Sequence, residues 1–116
     1  MKITLDILGG FLAISIAFSA LGKIKRIPGA VAAISHVGVQ ESQYNQLAAL
    51  EILGSLGLLV GIWSKPIGIA ASVGIALYFI GAQTAHIRVR DSFKDQFPAF
   101  FLFLVSAAVL ILQLKR

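Results

Sequence analysis

The sequence predicts an all-α integral membrane protein: an antiparallel bundle of four transmembrane helices with a short interfacial helix in the first loop. Three observations support this prediction. Of the 116 residues 58% are hydrophobic, only 13% are charged, and four long apolar stretches alternate with polar segments. Soluble domains contain about 25% charged residues and need polar helix faces. Residues 1–116 therefore have the composition of a single membrane-embedded domain.

The four apolar stretches have the length of membrane-spanning helices. We predict spans over residues 3–21, 47–63, 67–85 and 98–114, each of 17–19 residues. At 1.5 Å per residue, this length crosses a hydrocarbon core about 30 Å thick. Four antiparallel spans predict that both termini lie on one side of the membrane, together with the turn at Lys65.

The first span carries an acid near its start and basic residues after its end. Asp6 shares one helical face with Gly9, Gly10 and several alanines, which predicts a packing face. A cleaved signal peptide is the alternative, since Lys2 precedes the apolar run. The acid within the run and the three basic residues after it favour a retained span: Lys23, Lys25 and Arg26.

Residues 23–46 form the longest polar stretch of the chain. Within it, residues 27–37 contain Pro28, which suits a first helical turn, and are followed by Gly38, which suits a C-terminal cap. This pattern predicts a short helix in the membrane interface.

The second span contains one carboxylate, Glu51. An ionisable side chain in an apolar segment is disfavoured by about 2.5–3.5 kcal/mol and usually faces the protein interior. On a helix, Glu51 lies within about 120° of a stripe of small and polar positions. The stripe consists of Gly54, Ser55, Leu58 and Gly61. Gly57 and Gly61 also form a GxxxG motif, which predicts close helix packing within the chain or in a homodimer.

The third span follows the tight turn at residues 64–66 and carries polar residues near its end. Gly68 lies on its small-residue face, and His86 and Arg90 share that face if the helix continues, whereas Arg88 points away. Gln83 is a secondary polar candidate. The fourth span opens at residues 97–98 and has a weakly polar seam with a period of seven: Ala99, Ser106 and Gln113.

Antiparallel packing predicts one polar patch at the loop side of the membrane. Lys23 ends the first span, Glu51 lies about 6 Å inside the second, and His36 lies in the loop above. The end of the third span adds His86, Arg88 and Arg90. We expect Asp6 at the opposite interface.

The patch has three interpretations. The carboxylate forms an ion pair that fixes the bundle, or it extends toward the interface. Alternatively, it belongs to a working site that relays protons or binds a quinone carbonyl, a lipid headgroup or a partner helix.

Composition also limits the chemistry. Cysteine is absent, which excludes disulfide exchange, thiolate nucleophiles and cysteine-ligated metals, and we predict no metal site. The net charge of +5 is distributed in short clusters beside apolar segments. We therefore expect anionic lipid headgroups, and not nucleic acid, as the partner of these charges. The loop side carries six Lys or Arg against four on the terminal side, which weakly favours cytoplasmic loops.

Four motifs occur in order along the chain: ALGK at residues 20–23, LEILG at 50–54 with Gly57 and Gly61, KPIG at 65–68, and GA at 81–82 leading to HIR at 86–88. In this order they resemble the DoxX-like family of small four-helix membrane proteins, over nearly the whole chain. The resemblance implies accessory roles. Relatives include subunits of thiosulfate:quinone oxidoreductases or terminal oxidases, bacterial membrane redox complexes and an animal assembly chaperone for nicotinic receptors.

Three functional hypotheses follow. The first is an accessory subunit or assembly chaperone without cofactor or catalytic activity. It lies in the bacterial inner membrane and binds another membrane protein or a second copy of itself. The second is a quinone-binding subunit of a membrane oxidoreductase. The third is a small proton-coupled carrier, suggested by Glu51 and by the echo of residues 5–9 in residues 50–54, which is typical of inverted repeats.

Overall fold

The computed structural model describes residues 2–116, apart from the side chain of Asp95. The described residues form five α-helices and a single turn of 3₁₀ helix at Glu41–Gln43, without a strand. The helices are α1 (Lys2–Ile24), α2 (Pro28–His36), α3 (Tyr44–Val60), α4 (Lys65–Arg88) and α5 (Phe93–Lys115). The predicted all-α class is confirmed, and the first loop contains the predicted short helix.

In the part of the chain that the structure describes, three helical segments are long and apolar enough to cross a membrane: Lys2–Ile24, Lys65–Arg88 and Gln96–Lys115. The remaining predicted span, residues 47–63, corresponds to α3, which has only 17 residues and ends at Val60. Large apolar side chains cover the outside of the molecule; Phe18 is 70% exposed and Leu53 67%. Apolar surface on this scale indicates lipid around the helices. The count of four spans stays a prediction.

Neighbouring helices run antiparallel to one another. Near the start of α1, the Lys2 Nζ donates to the carbonyl of Ile62, just after α3, at 2.9 Å. At the start of α4, the Lys65 Nζ donates to the carbonyl of Arg116, just after α5, at 3.0 Å. The described chain ends therefore lie beside the turn between α3 and α4.

Glycines bring α3 and α4 into close contact. A Cβ atom on Gly57 would lie 2.8 Å from the Cβ of Ala71, and one on Gly61 would lie 2.5 Å from the Cα of Gly68. Gly54 lies as close to α4, and Gly68 as close to α5. Larger residues at these positions would push the helices apart. The GxxxG surface is thus used for packing within the chain.

The core lies between α1, α3, α4 and α5. It consists of Leu5, Leu12, Ala13, Ile16, Leu58, Ile75, Phe79 and Val109. Three buried serines lie beside it: Ser55 donates to the Ala13 carbonyl, and Ser72 and Ser106 donate to carbonyls of their own helices. Main-chain acceptors satisfy these hydroxyl groups without a second polar side chain.

Helices α1 and α4 end in left-handed turns formed by arginines. Arg26 has φ 54° and Arg90 has φ 57°. In the second of these turns, the Asp91 N–H donates to the His86 carbonyl at 3.1 Å, a closure typical of helix C-termini. Because α4 ends at Arg88, Arg90 does not continue the inward face of the helix as the sequence predicted. The turn instead brings Asp91 back toward α4.

Helix α5 starts five residues before the predicted span. The Gln96 N–H donates to the Ser92 carbonyl at 3.1 Å, so the first turn forms ahead of Pro98, which lies inside the helix. Proline disfavours a helix interior but not the first turn, and the sequence prediction therefore placed the start at the proline. Gly38, by contrast, has the expected positive φ of 90° after α2.

Candidate functional site

A buried ion pair joins α1 and α3. The Lys23 Nζ lies 2.8 Å from the Glu51 Oε1, and the two side chains are only 7% and 2% exposed. Lys23 also donates to the Ser19 hydroxyl at 2.8 Å. Of the cations that the sequence placed near Glu51, the structure therefore brings Lys23 to it.

The local sequence explains how the pair forms. Lys23 lies in the last turn of α1, and Glu51 lies on the buried face of α3 with Ala48, Ser55 and Leu58. The antiparallel contact of the two helices brings these positions together. Attraction between the charges offsets the cost of removing them from water only while both partners are present. The carboxylate and the ammonium group therefore depend on each other.

Tyr78 is a further polar group beside this ion pair, and the sequence analysis did not identify it. Its hydroxyl interacts with the Glu51 carboxylate, and its ring makes an edge contact with Phe79 at 5.4 Å between centroids. A tyrosine in the middle of an apolar span is itself a signal, because a buried phenol hydroxyl needs a partner.

These groups line a cavity of about 430 Å³, which we call the roofed cavity. Residues of α2 and of the following segment cover it: Ala33, Ile34, Val37 and Val39. Its polar lining residues are Ser19, Lys23, Glu51, Tyr78 and His86, and apolar residues of α3, α4 and α5 form the remaining walls. Sites for small molecules typically have volumes of about 300–1,000 Å³ and mostly apolar walls with a few polar groups.

A second polar cluster ties α2 to the turn after α4. Asp91 accepts from both histidines: its Oδ1 lies 2.5 Å from the His36 Nε2 and its Oδ2 lies 2.6 Å from the His86 Nδ1. The Gln96 side chain donates to the Asp91 carbonyl at 2.7 Å. His86 thus lines the roofed cavity but binds Asp91 and not Glu51. Asp91 is the residue that sequence analysis missed here.

The hydrogen bonds from His86 and His36 hold the pKa of Asp91 below its usual value, with a smaller contribution from the charges of the two rings. The carboxylate is therefore ionised throughout the ordinary pH range. A neutral imidazole donates one hydrogen bond, so these contacts do not require charged histidines.

The remaining predicted site residues lie elsewhere. Arg88 and Arg90 are exposed and are not brought to Glu51. Asp6 pairs with Lys2 at 3.2 Å at the opposite end of α1. The side-chain oxygen of Gln83 is buried and has no hydrogen-bond partner among the described residues. Within the described residues, no group of three or more His, Asp or Glu side chains has the geometry of a metal site.

Comparison with known proteins identifies the family of this chain. Residues 7–109 match the model of the DoxX-like family. Neither the curated proteins nor the solved structures give a match to the chain.

Proposed function

The chain belongs to the DoxX-like family, and on that basis we propose that it is a four-span membrane accessory protein with a ligand. The ligand is a small, largely apolar molecule with carbonyl oxygens, such as a membrane quinone, and it binds in the roofed cavity. The observation that supports this proposal most is the presence of a buried ion pair and a tyrosine on the wall of a ligand-sized apolar cavity.

The polar groups suit a carbonyl oxygen. An ammonium group has three N–H donors, and two of those on Lys23 serve Glu51 and Ser19 among the described residues. The third is available to an acceptor in the cavity, whereas the single O–H of Tyr78 serves the Glu51 carboxylate and helps to hold it in place. Apolar walls suit a ring without charge, since a few polar groups then fix its orientation.

The length and the contacts of α3 support its role as the fourth membrane-spanning helix. Its 17 residues extend about 26 Å, close to the thickness of the hydrocarbon core. Leu50, Leu53 and Leu56 are exposed on its outer side, while Glu51 faces α1. The contacts of Lys2 and Arg116 with the turn after α3 support termini on one side of the membrane. The resemblance to a family with relatives in bacterial membrane redox complexes supports the bacterial inner membrane as the location.

Binding of a methyl-substituted benzoquinone to the purified protein in detergent tests the ligand. Tyr78→Phe removes the hydroxyl that interacts with Glu51, the partner of Lys23, and we expect affinity to fall about tenfold because the Lys23 ammonium group is then less well oriented toward the ligand. Tyr44→Phe is the matched control, because Tyr44 is buried at the start of α3 and does not line the roofed cavity. Absence of saturable binding to the wild type, or equal losses in the two variants, would contradict the proposal.

The accessory role includes a membrane protein partner, and the family resemblance supports it. Gly57 and Gly61 pack against α4, so a partner or a second copy would use another surface. Crosslinking in native membranes, followed by purification and identification of the attached chains, tests this part. A protein recovered consistently without any crosslinked chain would contradict it.

A proton-coupled carrier is the second candidate, and the position of Glu51 favours it. The carboxylate lines the roofed cavity on one side and an outer groove between α3 and α4 on the other. Proteoliposomes with an internal pH dye distinguish the candidates. A carrier predicts a change in internal pH that Glu51→Gln abolishes, whereas a binding protein predicts none.

A further inference from the structure

The outer groove between α3 and α4 is larger than the roofed cavity, with a volume of about 610 Å³. Apart from Glu51 and Tyr78, its walls carry only aliphatic side chains and glycines. Residues 50–57 of α3 and 67–78 of α4 contribute most of them, and Ile16 of α1 completes the lining. A groove of this composition offers a ligand close packing but few hydrogen bonds.

The groove and the roofed cavity share two lining residues, Glu51 and Tyr78. Along α4, the groove is lined by residues 67–78 and the cavity by residues 78–86. The two spaces therefore follow each other along the same helix. At 1.5 Å per residue, the groove extends about 16 Å beyond Tyr78.

Two glycines of α4 keep these spaces open. A Cβ on Gly74, in the groove, or on Gly81, in the cavity, would have no neighbour within 4 Å. They are seven residues apart and thus lie on nearly the same helix face. Glycine disfavours a helix relative to alanine, and close packing explains Gly57 and Gly61 but not these two. A ligand that occupies both spaces would explain them.

We infer that the groove is the second half of the binding site, and that it holds the hydrocarbon tail of an amphiphile whose ring lies in the roofed cavity. This inference rests on the proposed function and adds the place where the apolar tail of such a ligand lies. The junction of ring and tail lies at Glu51 and Tyr78. Because lipid is as apolar as the groove, the tail adds affinity through shape and van der Waals contact.

A pair of ligands and a pair of variants test the tail site. We compare the methyl-substituted benzoquinone with its decyl-substituted counterpart in the same detergent. Gly74→Leu fills the groove, and we expect it to weaken decyl binding about tenfold while methyl binding stays within about twofold of the wild type. Gly9→Leu is the control, because Gly9 is a helical glycine with open space that lines neither the groove nor the roofed cavity.

The outcomes separate the two proposals. Failure of the methyl compound to bind the wild type contradicts the proposed function, whereas unchanged decyl binding in Gly74→Leu contradicts only the tail site. The latter result would mean that the decyl tail lies outside the groove. A decyl tail with a photoreactive diazirine gives a test on the wild type: we expect labelled peptides from α3 and α4, and labelling mainly of α5 would overturn the inference.

Discussion

Two carboxylates, Glu51 and Asp91, each join helices that are distant in the sequence, but their surroundings differ. Glu51 pairs with one cation, and both side chains are buried within the helical core. Asp91 accepts from two histidines at the loop side, and the His36 side chain is 58% exposed. The comparison indicates different tasks: the buried pair fixes the core and the cavity wall, whereas the loop cluster fixes the cover of that cavity.

The two regions differ in whether water can replace a contact that a mutation removes. Water can take the place of Asp91 at the exposed side of His36. The Glu51 side chain is only 2% exposed, so removal of Lys23 leaves a buried charge without its partner. Variants of the two regions should therefore differ in the size of their effect and in the part of the molecule that responds.

The largest effect is expected at the buried pair. Lys23→Met should lower the free energy of unfolding by about 3–5 kcal/mol, because Glu51 is left unpaired. The double variant Lys23→Met with Glu51→Leu should recover most of that loss, since both charges are gone. Unfolding by titration with a denaturing detergent measures both. A single variant as stable as the wild type, or a double variant no better than the single one, would refute the pairing.

A smaller effect is expected at the turn that orients Asp91. Arg90→Gly should raise the free energy of unfolding by about 1 kcal/mol, because glycine adopts the left-handed conformation without the steric cost of a side chain. Arg88→Gly, within α4, is the control and should lower it by a similar amount. A loss of stability in Arg90→Gly would show that the turn is not as described.

At the loop cluster itself we expect a local response. Asp91→Asn should leave the unfolding midpoint nearly unchanged, because the cluster lies outside the core. Hydrogen exchange of the α2 amide groups should become several times faster, since α2 has no buried residue and loses its tie to α4. Unchanged exchange in α2 would show that other contacts hold the cover.

The smallest effect is expected from the titration of Asp91. Its lowered pKa means that the carboxylate stabilises the cluster at and above the ordinary pKa of aspartate, about 3.9, and that this stabilisation is lost as the pH falls through the lowered pKa. Protection of α2 should therefore persist to about pH 4 and fall below it, after correction for intrinsic exchange. Loss of protection well above that pH would contradict the assignment.

Much of the fold follows from apolar run length, and the site follows only in part. The acid in an apolar span predicted that Glu51 faces the interior, as the structure has it. The sequence alone did not determine whether Lys23, Arg88 or Arg90 pairs with Glu51. The partner depends on where α4 ends and on how α1 crosses α3.

Other parts of the site depend on geometry that no local pattern encodes. Asp91 reaches His86 only because Arg90 adopts a left-handed conformation, which an arginine in the sequence does not predict. Tyr78 was detectable as a lone phenol in an apolar span. The start of α5 was misplaced because Pro98 suggested a first turn, whereas the helix begins upstream.

Binding at the roofed cavity is the central claim, and calorimetric titration with the methyl-substituted benzoquinone tests it most directly. Gly81→Leu would narrow the cavity, and a Cβ atom at this position has no neighbour within 4 Å. We predict saturable one-site binding to the wild type and to Gly9→Leu, and binding at least tenfold weaker to Gly81→Leu. Binding that is absent from the wild type, or equal in all three proteins, would contradict it.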